Sequence, residues 1–214
     1  MELTKHVHAC VSLERDGGRL VIDPGAFEPN AAQLVAGTDT VLITHEHFDH
    51  VDENVIAAAL ADRPELTVYG PAAVVDRWRE AHPDQIVAVS GGDRFSAAGF
   101  EIVVHGDTHA EIHRDVPRCA NVGYLIDGSV YHPGDAYHVP SAEISTLLLP
   151  TSGPWTKLGE AVDYLRAVKP ERAVQIHEAM LSELGQQSMA RFLSPAMLSD
   201  VPLTIVPVGE TITV

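Results

Sequence analysis

Apolar positions along this chain follow two rhythms, alternation in short runs and a three-to-four spacing in longer ones, and each predicts its own kind of element. Residues 7–13 and 19–22 read as strands joined by a Gly17-Gly18 turn, and Asp23-Pro24-Gly25 stops the second of them. A short helix is predicted over 30–36 with Asn30 as its N-cap, then a buried strand over 41–43, then helical character over 51–60 closed by Arg63-Pro64. A strand at 66–69 leads to a helix from Pro71 to about residue 81, ended by His82-Pro83 and carrying Trp78 as a packing residue. Strands over 86–89, 94–97 and 100–105 follow, divided at Gly91-Gly92 and Gly99. Residues 121–126 and 129–132 predict a hairpin across Asp127-Gly128.

The last third adds an apolar strand at 146–149 and an amphipathic helix marked by Leu158, Ala161, Val162, Leu165 and Val168, ended by Lys169-Pro170. A strand at 173–176, a helix over 186–198 interrupted at Pro195, and strands 203–206 and 211–214 paired across Gly209 complete the reading. Strands and helices in alternation indicate an α/β fold. With no linker, repeat or low-complexity segment, residues 1–214 read as one domain.

Bulk composition narrows the partners. The chain has 14 basic against 30 acidic residues, a formal charge of -16, which disfavours nucleic acid because phosphate binding needs clustered Lys and Arg. No apolar run approaches the roughly 20 residues of a membrane span, and the start Met1-Glu2-Leu3-Thr4-Lys5-His6 has no signal-peptide character. Two cysteines, Cys10 and Cys119, are too few for a disulfide framework and suit a reducing cytoplasm.

The chemistry concentrates in Thr44-His45-Glu46-His47-Phe48-Asp49-His50, on the turn between the strand at 41–43 and the next helix. Neutral imidazole and carboxylate are usual ligands for zinc and similar divalent ions. His45, His47 and Asp49 share one parity, so an extended backbone aims them together and sends His50 elsewhere. Further on, Gly106-Asp107-Thr108-His109 follows a strand, and His113 lies four residues beyond His109. On a helix those two histidines share a face and bind a metal by themselves. The intervening glutamate is not placed as in the His-Glu-x-x-His motif.

His45-x-His47-x-Asp49-His50 resembles the signature of the metallo-β-lactamase fold superfamily of metallohydrolases, nearest its short, single-domain UlaG-like (ascorbate-lactonase-like) branch. The resemblance implies a four-layer αββα sandwich, two mixed β-sheets flanked by helices, with a metal site at one edge. It implies a first metal held by His45, His47 and His109, with His113 the alternative to His109. The second is held by Asp49, His50 and His177, the last at the tip of a late strand. Asp135, in His132-Pro133-Gly134-Asp135, bridges both, and the glycine before it lets the backbone approach closely. Ala136 follows where many members carry Thr or Ser.

The resemblance thus implies two divalent ions, zinc foremost and manganese, iron or nickel also accepted. Hydroxide made between them cleaves an ester, lactone or phosphodiester of a small molecule. Asp49 and Asp135 are the catalytic carboxylates, Asp49 orienting the nucleophile or shuttling a proton. His8, His113 and Trp155 are the residues expected to face substrate. Relatives of this branch self-associate, so a homo-oligomer is an open expectation. Two other readings stand beside the hydrolase: a mononuclear iron oxidoreductase of the persulfide-dioxygenase kind, and a non-catalytic metal-binding module.

Overall fold

Three antiparallel strands, β1 (Glu2–Lys5), β2 (Val11–Arg15) and β3 (Gly18–Ile22), open the chain. The helix α1 (Ala31–Ala36) leads to β4 (Thr40–Leu42), α2 (Glu53–Asp62) to β5 (Thr67–Gly70), and α3 (Ala72–Arg79) to β6 (Ile86–Ala88). Because a helix carries the chain back each time, β3 to β6 run parallel. A second sheet begins with the antiparallel strands β7 (Arg94–Ala97), β8 (Phe100–His105), β9 (Gly123–Ile126) and β10 (Val130–His132). It continues in parallel through β11 (Thr146–Pro150), α4 (Leu158–Val168), β12 (Arg172–Ile176), α5 (Glu183–Phe192) and β13 (Leu203–Thr204). The final strand, β14 (Thr211–Thr213), returns to the first sheet beside β1. This computed structural model describes all of residues 1–214.

The strand alternation settles what packs where. Leu42 turns toward the second sheet while its neighbours Val41 and Ile43 turn outward onto α2 and α3. Leu148 likewise enters the core between the sheets, and Leu147 and Leu149 pack outward with Val162 and Leu165 of α4. Three apolar layers therefore separate four structural layers, helices outside and two mixed seven-stranded sheets inside, as the resemblance implies.

Several elements differ from the sequence reading. Residues 7–10 form no strand; they turn, with His8 in the left-handed region at φ 64°, and the strand missed before them is β1. The helix expected from residue 51 starts at Glu53, because the Asp52 side chain accepts from the Asn54 and Val55 amides and caps it. Asn30 occupies the N-cap of α1 without a capping side-chain bond. α5 begins and ends earlier than expected, at Glu183 and Phe192, with Ser182 as its cap. Residues 203–206 and 211–214 do not pair across Gly209: β13 joins β12 and β14 joins β1, in different sheets.

Candidate metal centre

The site lies where parallel strands end, the usual place for a ligand on an open α/β sheet. Beyond β4, Ile43 still pairs with Tyr69, and His45 bridges to Asn121. The loop then closes on itself, with the His50 and Val51 amides both donating to the His47 carbonyl at 2.9 and 3.1 Å. That turn overturns the parity argument. Asp49 does not point with His45 and His47; it joins His50 instead. The turn presses tightly on the chain behind it, since a Cβ at Gly25 would meet the Asp49 carbonyl oxygen at 2.0 Å.

Two groups of potential ligands result, His45, His47, His109 and Asp135 in one, and His8, Asp49, His50 and His177 in the other. Within each group the donor atoms all lie within 4.8 Å of one another. Asp135 faces both. Its Oδ1 lies 3.1 Å from His50 Nε2 and 3.2 Å from His177 Nε2, while Oδ2 lies 3.5 Å from His109 Nε2 and 4.0 Å from His45 Nε2. The carboxylate is placed by its backbone, whose amide donates to Asn121 Oδ1 at 2.9 Å, and by Trp155 Nε1, which donates to Oδ2 at 2.8 Å. Gly134 allows this close seating: at φ 62° a Cβ there would meet Asn121 Oδ1 at 2.3 Å.

Hydrogen bonds on the far side of His109, His45 and His50 fix which nitrogen of each neutral ring is bare. His109 Nδ1 donates to the Ala110 carbonyl at 2.6 Å, and its Nε2 is buried without a partner. Thr44 Oγ1 donates to Asp23 Oδ2 at 2.7 Å, so it accepts from His45 Nδ1 at 3.0 Å and turns the lone pair of His45 Nε2 inward. His50 Nδ1 donates to Asp23 Oδ2 at 2.7 Å. Nitrogens from different rings converge on the same space, His45 Nε2 and His47 Nδ1 lying 3.0 Å apart and His50 Nε2 and His177 Nε2 3.2 Å apart. Bare nitrogens around a carboxylate suit divalent cations, and the partners behind them are the usual supports of ligating histidines.

The electrostatics mark this as a place for positive charge, carried by a proton on His50 or by a cation that takes its place. Burial opposes a charge on His50, but the Asp135 and Asp23 carboxylates outweigh it and hold this imidazole well above its ordinary value. Burial likewise opposes ionisation of Asp135, and the His50 and His177 rings still bring it well below the carboxylate range. Asp49 is brought to about 2, against its burial, by the hydrogen bond from His8 and by the same two rings.

His8 belongs to the second group by distance but not by chemistry. Its Nδ1 accepts from the Ala179 amide at 3.2 Å, so in the neutral ring the proton sits on Nε2, which donates to Asp49 Oδ2 at 3.1 Å. Burial lowers its pKa despite the pull of Asp49, which favours that neutral form. A nitrogen carrying a proton is no ligand. The turn holding it is anchored by two buried carboxylates: Glu178 accepts from the His8 amide and from Lys5, and Glu28 accepts from the Val7 amide. The His177 amide closes the frame by donating to the His8 carbonyl at 3.0 Å.

The remaining sequence candidates divide. His113 lies on an exposed loop beside Asp115, in neither group, and no helix spans His109 and His113, which removes the rival two-histidine site. Trp155 is buried and holds Asp135 while also lining the cavity over the site. Asn121 and Glu178 escaped the sequence reading, and Asp23 entered it only as the stop of a strand, without a role in the site. Only Asp23 had a visible signal, an Asp-Pro-Gly turn at the end of β3, which pairs with the strand bearing the histidine loop. The cavity, about 710 Å³, reaches His47, Asp49, His109, Asp135 and His177 at its base.

A beta-lactamase superfamily domain model matches residues 2–177. Protein Rv0786c of Mycobacterium tuberculosis is 37% identical over 191 residues, spanning 85% of this chain and 86% of its own. A UPF0173 metal-dependent hydrolase of Myxococcus xanthus is 28% identical, over 82% of this chain and 70% of its own. Among solved structures, Igni18, a metallo hydrolase from Ignicoccus hospitalis, superposes with a TM-score of 0.72 at 21% identity, covering 99% of this chain and 97% of that one.

Proposed function

This chain belongs to the beta-lactamase superfamily, and from that premise we propose that it is a metal-dependent hydrolase that opens an ester, lactone or phosphodiester bond of a small molecule. His45, His47 and His109 would hold one divalent ion and Asp49, His50 and His177 a second, with the Asp135 carboxylate available to both; zinc is the foremost candidate. Bound there, such ions activate water for attack and polarise the oxygen of the scissile group. The observation that carries this reading is the Asp135 carboxylate, whose two oxygens face different ligand groups.

The chain's own residues supply the rest. Asp23 and Thr44 keep His50 and His45 in the tautomers whose inner nitrogens are bare. His8 fixes one oxygen of Asp49 and leaves the other free to accept a proton from water. Trp155 keeps Asp135 from rotating and covers it. Both cysteines are free, and no helix is long and apolar enough to cross a membrane, which fits action in a reducing cytoplasm. A mononuclear iron oxidoreductase is not favoured, because ligand groups of similar burial occur at both places.

The direct test is metal analysis of the purified protein together with hydrolysis of lactone, phosphodiester and thioester substrates, using His47→Ala as control. Two ions per chain and turnover abolished in the variant are expected. A single iron without hydrolysis would replace the reading with the oxidoreductase.

A further inference from the structure

The walls of the cavity above the ligand groups differ in kind from its base. Phe27, Phe48, Ile112, Pro154, Trp155 and Met180 line them. Phe48 is 64% exposed and Met180 62%, so two large apolar side chains stand in solvent at the mouth with nothing of this chain covering them. Such exposure is disfavoured, and where it rims a pocket it marks a surface that a ligand covers. Phe48 sits between His47 and Asp49 in the ligand loop, and its ring meets that of Phe27 edge to face at 5.4 Å. An apolar group lying against this pair is therefore held beside the reacting centre.

Charge narrows the ligand further. Glu46 and Glu53 line the mouth, and the single basic residue of the cavity is Arg77. Arg77 is already committed, its Nη1 to Glu53 and its Nε to the Val74 carbonyl at 2.7 Å. Apart from Arg77, which is paired with Glu53, the cavity lining offers no Lys or Arg to receive a phosphate or carboxylate on the substrate body, and the net charge of -16 repels anions at longer range.

Resting on the hydrolase reading above, we propose that the substrate is an uncharged carboxylic ester or lactone carrying an aliphatic or aryl body, which lies along the Phe27–Phe48–Met180 wall. Water adds to the carbonyl carbon, the bond from that carbon to the alkoxy oxygen breaks, and the alkoxy oxygen takes a proton. The acid product ionises, so a neutral reactant becomes an anion beside Glu46 and Glu53, which favours its release. A phosphodiester enters with the charge that this mouth opposes.

The test compares p-nitrophenyl butyrate, p-nitrophenyl octanoate and bis(p-nitrophenyl) phosphate on metal-loaded wild type, Phe48→Ala and Met180→Ala. In wild type, kcat/KM should rise by up to about fourfold per added methylene, the ratio equivalent to about 0.8 kcal/mol for one buried CH2. Phe48→Ala should flatten that rise, lowering the octanoate rate more than the butyrate rate. No chain-length dependence, or faster phosphodiester cleavage, overturns the substrate class and leaves the hydrolase standing. If no substrate is turned over, the hydrolase reading fails. Tryptophan fluorescence titration with 2-nonanone against 2-butanone then still decides the pocket. Tighter nonanone binding that Phe48→Ala abolishes supports the apolar wall, and equal binding of both ketones overturns it.

Discussion

The two ligand groups grow from one loop yet are backed differently. Around His45, His47 and His109 the supporting partners are neutral, the Thr44 hydroxyl and the Ala110 carbonyl. Around Asp49, His50 and His177 they carry charge or a proton, with Asp23 behind His50 and His8 against Asp49. A carboxylate behind an imidazole raises its basicity as a ligand. The second group is therefore backed by side chains from distant parts of the chain, the first by the immediate chain neighbours of its histidines.

Mutations sharpen that contrast in descending order of effect. Asp135→Ala removes the one carboxylate common to both groups and strands the Trp155 N–H; metal content should fall at both positions and hydrolysis should vanish. Next, His109→Ala and His50→Ala should each lower the metal content by one ion while leaving the other in place. Loss of both ions from either variant would mean that the positions are not separable. Asp23→Asn keeps the shape but weakens the charge behind His50, and should cost about 10–100-fold in affinity at the second position alone. A competition titration with a chelator reads this, and equal weakening of both positions would count against the asymmetry.

His8→Gln should act least on metal. With Nε2 protonated and Nδ1 committed to Ala179, removing His8 loosens Asp49 without taking a ligand away. Two ions should remain bound while kcat drops more than KM rises. Were His8 a ligand, the second ion would be lost instead.

The sequence exposes some of this well and hides the rest for physical reasons. The clustering of the strand-end histidines and Gly134-Asp135 was legible because metal ligation demands particular side chains in a compact motif, and the unbroken apolar runs of β4 and β11 follow from burying both strand faces, as the alternation along β8 follows from burying one. The turn at 7–10 was hidden because its residues look like a strand; what bends them is Glu28 and Glu178, which no local pattern announces. β1 was missed since Lys5 reads as exposed, whereas it is 1% exposed and paired with Glu178 at 3.0 Å. Parity failed at Asp49 because two amides converge on one carbonyl and rotate the backbone there. The final strands, though neighbours in sequence, found better partners in opposite sheets.

The bond between Lys5 and Glu178 joins residues 173 positions apart. While the protein is being synthesised, the histidine loop leaves the ribosome long before His177, which lies 127 residues beyond His50. Until Glu178 docks on the opening strand, the group of His8, Asp49, His50 and His177 is incomplete, and a cation of the kind proposed above would meet fewer donors than the finished protein offers. Completion of that group therefore waits for a contact between the opening strand and the segment after β12.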